Sequence, residues 1–137
     1  MLYKSYILEQ NIKLIENNLF LFFGENLGLK KDLKNKIKLI NNNCEFLTFN
    51  QDDILKDNNI LDKEINNISL FGKKKIFFIE SATDKIFKYV VENLEEADDH
   101  KIYFFSDVLD KKSKLRNYFE KSKKYGSVPC YADNEIT

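Results

Sequence analysis

Residues 24–31, Gly24-Glu-Asn-Leu-Gly28-Leu-Lys30-Lys31, follow a five-residue apolar run and precede a helical pattern. Strand, glycine turn and helix form the setting of the phosphate-binding loop G-x-x-x-x-G-K-[ST]. There the second glycine lets backbone N–H groups close around phosphate, the lysine neutralises it, and the hydroxyl holds Mg²⁺. Counted from Gly24, the second glycine position is Leu29, the lysine position is Lys30, and the hydroxyl position is Lys31, which cannot ligate a cation. Two of the four features are lost. The partner group would be an acid at the end of a later strand. Glu80 ends one apolar run and Ser106-Asp107 ends another, but no second acid follows Glu80. Gly24, Gly28 and Lys30 therefore read as a degenerate phosphate loop. Either it binds phosphate weakly at a helix N-terminus, or it is only a tight strand-to-helix turn beside a solvated Lys30.

A second stretch stands out for apolar side chains where water is expected. Ile68-Ser69-Leu70-Phe71-Gly72 is followed by Lys73-Lys74-Lys75. A helical pattern ends near Asn67 and a buried strand begins near Ile76, so Leu70 and Phe71 sit in a connection. Gly72 permits a sharp turn, and the three lysines disfavour burial of the backbone around them. Two readings stay open. Leu70 and Phe71 plug the core, or they project as an anchor for a pocket on another protein.

The elements that would hold these residues are legible as apolar runs. Leu19–Phe23, Cys44–Phe49, Ile76–Ile79 and Ile102–Phe105 read as strands, and three of them lack polar alternation. Strands buried on both faces look like this, as in a parallel sheet. Val128–Tyr131 is a weaker fifth strand, placed at an edge by Pro129. Helical stripes lie between them: Leu29, Leu33, Ile37 and Ile40 with Lys30, Lys34 and Lys38 outside; Ile86, Phe87, Val90, Val91 and Leu94; and Leu115, Tyr118 and Phe119. Between Gln51 and Asn67 the spacing predicts one broken helix or two short ones, parted at Asp57-Asn58-Asn59. Ser81 reads as an N-cap for the helix of Ile86, and Tyr3–Glu16 as an arm followed by a short helix. Alternation of strands and helices argues for an α/β sandwich.

At 137 residues the chain fits one domain, and 43% hydrophobic content is enough for a core. Basic and acidic residues number 22 each, without the basic excess of a protein held on DNA mainly by phosphate neutralisation. Lys73–Lys75, Lys111–Lys114 and Lys121–Lys124 read as solvated faces. Lys, Asn and Ile abound, a bias of AT-rich codons. Arg116 is the only arginine and is not assigned as an arginine finger. Cys44 and Cys130 form no C-x-x-C pair and His100 is the single histidine, so no metal site is expected. No signal-peptide or membrane-length apolar stretch is visible. The expectation is a soluble, reduced, cytoplasmic domain with no membrane contact.

Three segments together resemble a known family, the N-terminal domain of the delta subunit of bacterial DNA polymerase III, the clamp-opening subunit of the replicative clamp loader. They are Leu19-Phe-Leu-Phe-Phe-Gly-Glu-Asn-Leu-Gly28, Ile68-Ser-Leu-Phe-Gly-Lys-Lys-Lys-Ile-Phe-Phe-Ile79, and Ile102-Tyr-Phe-Phe-Ser-Asp-Val-Leu-Asp-Lys-Lys-Ser-Lys-Leu115. The resemblance implies an AAA+/P-loop-like three-layer α/β sandwich with a mostly parallel five-stranded sheet and a degenerate nucleotide site that binds no cofactor. It implies that Ser69, Leu70 and Phe71 dock on the sliding clamp (the beta subunit). Other clamp-loader subunits would be partners, and DNA would be reached indirectly through the complex. Residues 1–137 would then be one AAA+-like domain of a longer subunit, without the family's helical lid and C-terminal collar, and without catalysis of its own in a nucleotidyltransferase complex. The alternative from the residues alone is a small P-loop-like phosphotransferase or NTPase with an eroded motif.

Overall fold

The computed structural model describes residues 4, 18–57, 59–66, 74–94, 101–122 and 124–131. Five strands form one sheet: β1 (Leu19–Phe23), β2 (Glu45–Asn50), β3 (Lys75–Glu80), β4 (Lys101–Ser106) and β5 (Gly126–Pro129). Their spatial order is β2-β3-β4-β1-β5 and every pairing is parallel. The physical cause is visible in the side chains. β1 is buried at all five positions, β3 at its first five and β4 at its last five. Such strands need cover on both faces, which α-helical crossovers supply. β2, with exposed Thr48 and Asn50, takes one edge, and β5 with Pro129 takes the other, where a missing N–H is tolerated.

Alternate residues along the strands build two cores. Leu19, Leu21, Phe23, Phe77, Ile79, Ile102 and Phe104 face one side. There they meet α2 (Gln51–Lys56), α3 (Asn59–Asn66), α4 (residues 84–94) and α5 (Lys114–Lys121). Helix α4 is composite: a 3₁₀ turn (Asp84–Ile86), one α turn (Phe87–Tyr89) and a π turn (Val90–Leu94). Phe20, Phe22, Ile76, Phe78, Tyr103, Phe105 and Val128 face the other side and pack against Leu33 and Ile37 of α1 (Leu27–Ile40). This second core is largely aromatic. Phe22 stacks on Phe105 at 5.1 Å between centroids, and Phe78 lies 5.8 Å from both Tyr103 and Phe105. Helix, sheet and helices make the three-layer α/β sandwich expected from the sequence, with a sheet that is wholly parallel. Helix α1, after β1, covers one face and α5, after β4, covers the other. The neighbouring ends of β1 and β4 are thus a topological switch point, where open α/β sheets form crevices.

Several local expectations are corrected. Gly28 is not part of the turn, because α1 begins at Leu27 and Gly28 lies in its first turn; the N-cap is Asn26, whose Oδ1 accepts from Leu29 N at 3.0 Å. Ser81 is not the cap of α4. Thr83 is, its Oγ1 accepting from Lys85 N, while Ser81 stands at φ 58° immediately after β3. Ile40 leaves the apolar stripe and is exposed, and Lys30, expected in solvent, is buried. The break between α2 and α3 falls at Asp57, and Asn59 already belongs to α3. Cys44 and Cys130 are both free thiols, and Cys130 packs in the aromatic core. The arm expected over Tyr3–Glu16 lies outside the described residues apart from exposed Lys4.

Candidate functional site

The sequence-predicted phosphate residues meet at the switch point, but they are engaged with the protein itself. β1 ends at Phe23 and the chain turns at Gly24 with φ 130°, a conformation that favours glycine. Glycine is needed there for a second reason: a Cβ would stand 2.1 Å from the Cys130 carbonyl oxygen. The end of β5 closes over this turn. Cys130 N donates to Phe23 O, Asn26 N donates to Cys130 O at 3.0 Å, and Asn26 Nδ2 donates to Tyr131 O at 3.0 Å. Gly24 N donates to Asp107 O at 3.1 Å. A phosphate cradle needs several convergent unoccupied N–H groups; here Gly24 N and Asn26 N already point at protein carbonyls.

Lys30 follows the same pattern. Its side chain is only 8% exposed, and its ammonium donates to Ser106 O at 2.9 Å and lies 3.7 Å from the Asp107 carboxylate. One turn along α1, Lys34 donates to Glu80 at 2.6 Å. Its ammonium also lies over the Phe78 ring at 4.9 Å. Thus the two acids singled out at the strand ends, Glu80 and Asp107, are brought to the two lysines and paired with them. A cleft of about 440 Å³ remains above these pairs, lined by Leu27, Lys31, Asn35 and Lys38 besides the paired groups. The Ser106 hydroxyl at its edge is buried and has no hydrogen-bond partner among the described residues. No group of three or more metal-ligating side chains occurs among the described residues. Glu80, held against an ammonium, is poorly placed to take a divalent cation.

Ser69, Leu70 and Phe71 lie outside the described residues, but the two ends of their segment are on view. Lys75, expected as part of an exposed lysine cluster, is instead the first residue of β3 and 4% exposed. Its ammonium donates to Glu64 O at 2.8 Å and to the Glu64 carboxylate at 3.4 Å. Glu45 N, at the start of β2, donates to Lys74 O at 2.8 Å. The last turn of α3 and the first residue of β3 are therefore tied together. Sequence reading missed Lys75 and Glu64, because residue type alone places a lysine in solvent.

A second surface collects the later lysine clusters. The Asp84 carboxylate accepts from Ser113 Oγ at 2.6 Å, Lys114 N at 3.0 Å and Leu115 N at 3.1 Å, capping α5 from a neighbouring helix. Partial burial opposes its ionisation, but the Ser113 hydroxyl, the two N–H groups and the nearby Lys114 charge outweigh this, and the pKa is lowered from 3.8. With α5 so fixed, Lys114, Asn117, Tyr118 and Lys121 form one face of the helix. They border a groove of about 780 Å³ together with Phe87, Lys112, Lys124 and Tyr125. Arg116 is turned away from that face, bonded to Glu120 and to Leu109 O.

Comparison with known proteins adds little to this geometry. No protein-family profile matches the sequence, and no curated protein sequence matches it. Among solved structures the fold is similar to PCH-2 of C. elegans, with 12% identity and a TM-score of 0.49 over 90% of this chain. The chain spans 38% of the length of that structure. The architecture stated above rests on the sheet order and the packing of its two faces. No helix among the described residues is long and apolar enough to cross a membrane.

Proposed function

We propose that the chain is a clamp-loader delta-type domain that binds a sliding clamp and helps open its ring during DNA replication, without hydrolysing ATP. The observation that carries this reading is that the charged groups at the strand ends pair with one another. The crevice lies where a phosphate loop would stand, yet Lys30 is held beside Asp107 and Lys34 by Glu80 at its floor. A domain of this kind does mechanical work through its contacts and takes its timing from partner subunits. The Leu70-Phe71 pair supplies the contact. The Lys75–Glu64 tie supports this role, since an anchor transmits force only from a fixed base. Partners on this reading are the clamp, the other loader subunits and, through them, primed DNA in the cytoplasm.

The energetics bound the mechanism. Burying one Leu and one Phe is worth roughly 3–6 kcal/mol, part of which offsets the entropy of association. Ring opening draws only on the difference in affinity between open and closed clamp. Leu70 and Phe71 must therefore enter a pocket that the open ring shapes better. Clamp binding by the chain and by its Leu70→Ala/Phe71→Ala variant tests this. We expect the double variant to lose at least about tenfold, or about 1.4 kcal/mol, with unchanged thermal stability. Equal affinity overturns the anchor role. A loss of several kcal/mol in stability instead assigns the pair to the core.

The competing reading, a phosphotransferase with an eroded motif, draws on the open volume of the cleft and on the Ser106 hydroxyl. Titration with ATP and Mg²⁺ separates the two. Saturable micromolar binding or turnover overturns the non-nucleotide reading.

A further inference from the structure

The groove beside α5 combines two features that sequence left apart. Lysines from two separate clusters, Lys112 and Lys114 before the helix and in its first turn, and Lys121 and Lys124 at its end, converge on one lining that contains no acidic residue among the described residues. This happens in a chain whose net charge is zero. Among the described residues, Lys112, Lys114 and Lys121 have no carboxylate within ion-pair distance. The nearby acids are directed elsewhere. Asp84 faces the N–H groups of α5, offsetting part of the Lys114 charge, Asp110 accepts from Lys112 N, and Glu120 is paired with Arg116.

The floor between the lysines is aromatic. The Phe87 and Tyr118 rings meet edge to face at 5.6 Å, and Tyr118 lies 5.9 Å from Tyr125. The Lys124 ammonium sits 5.7 Å from the Tyr125 centroid. Lys114 and Lys121 are seven residues apart on the helix, about 10 Å along its axis, with Tyr118 between them on the same face. Ammonium groups beside the half-buried Phe87 and Tyr118 rings, with buried Tyr125 beneath them, are the chemistry of a sequence-tolerant single-strand track, in which phosphates meet cations and bases meet π-faces. An acidic peptide would use the cations alone.

We propose that the groove formed by Phe87, Lys112, Lys114, Tyr118, Lys121 and Tyr125 binds the backbone of single-stranded nucleic acid without sequence preference. The assignment stands on the groove itself and is independent of the clamp reading.

The test is fluorescence anisotropy of a labelled oligothymidylate titrated with the intact chain. Expected is a dissociation constant on the order of 10⁻⁴–10⁻⁶ M, with a slope of log affinity against log salt of about −2 to −3, for three or four phosphates engaged. Lys112→Gln/Lys114→Gln/Lys121→Gln should lose about tenfold or more and flatten that slope toward about −1, with an unchanged circular dichroism spectrum because these side chains are exposed. Leu70→Ala/Phe71→Ala should bind the oligonucleotide normally, which separates failure here from failure of the clamp reading. No anisotropy change at low salt overturns the proposal, as does equal binding by the triple lysine variant. Tighter binding of the matching duplex also overturns it, because duplex bases are not available for stacking. Labelled polyglutamate binding as tightly as the oligonucleotide overturns it in favour of an acidic peptide.

Discussion

Lys30 and Lys31 are neighbours of one residue type with opposite roles. Lys30 is buried with its ammonium on Ser106 O, and Lys31 is exposed at the rim of the cleft. Lys30→Met keeps the stem but leaves the Ser106 carbonyl without this donor, and should cost about 1–2 kcal/mol in urea unfolding. Lys31→Met should stay within about 0.5 kcal/mol. Equal effects would show that Lys30 is not held as described. Gly24→Ala combines a Cβ driven into the Cys130 carbonyl with φ 130°, and should cost about 2–4 kcal/mol. Asp84 gives a pH signature. Its folded pKa lies below its unfolded value, so its contribution is fully present above pH 3.8 and fades as pH falls from there through the folded pKa. In a series of urea midpoints taken downward from pH 5, Asp84→Asn should show a shallower acid decline than the parent; an identical decline would contradict the cap.

At the scale of elements, the Lys75 tie joins the end of α3 to the start of β3. Lys75→Met should lower stability by about 1–2 kcal/mol and, on the proposed function, weaken clamp binding with Leu70 and Phe71 still in place. Full clamp affinity in that variant would show that the base of the segment is unimportant. The strands were the most legible elements because continuous runs such as Leu19–Phe23 can only be buried on both faces. The stripe of α1 was legible through Leu33 and Ile37, and the same phase holds the signal for Lys30, which lies three and seven residues before them. Lys75 likewise shares strand parity with Phe77 and Ile79, both in the core. Residue type outweighed position in both readings. The cap of α4 differs for another reason: by type Ser81 is at least as good a cap as Thr83, and only the backbone shows that Thr83 holds the capping position. Cys130 over Gly24 was invisible, because that contact depends on how β5 docks beside β1.

For the whole molecule, the placement of the acids matters more than their number. Glu80 and Asp107 meet lysines at the switch point, while among the described residues the α5 groove is left without an acid, so an overall charge of zero conceals a cleft whose lysines are partly paired and a groove whose Lys112, Lys114 and Lys121 are not. The sheet order has a further consequence, in time. β1 is the most apolar strand, yet its partners are β4 and β5: Leu19 pairs with Ile102 and Phe20 with Gly126. During synthesis it emerges before the other four strands and must wait for β4 to cover one flank and for β5 to cover the other. Such distant pairings slow folding and prolong exposure of a sticky segment. Chains cut between β4 and β5 should therefore collect in the insoluble fraction, where Leu19–Phe23 has one open edge, even though most of the helical cover has already been made.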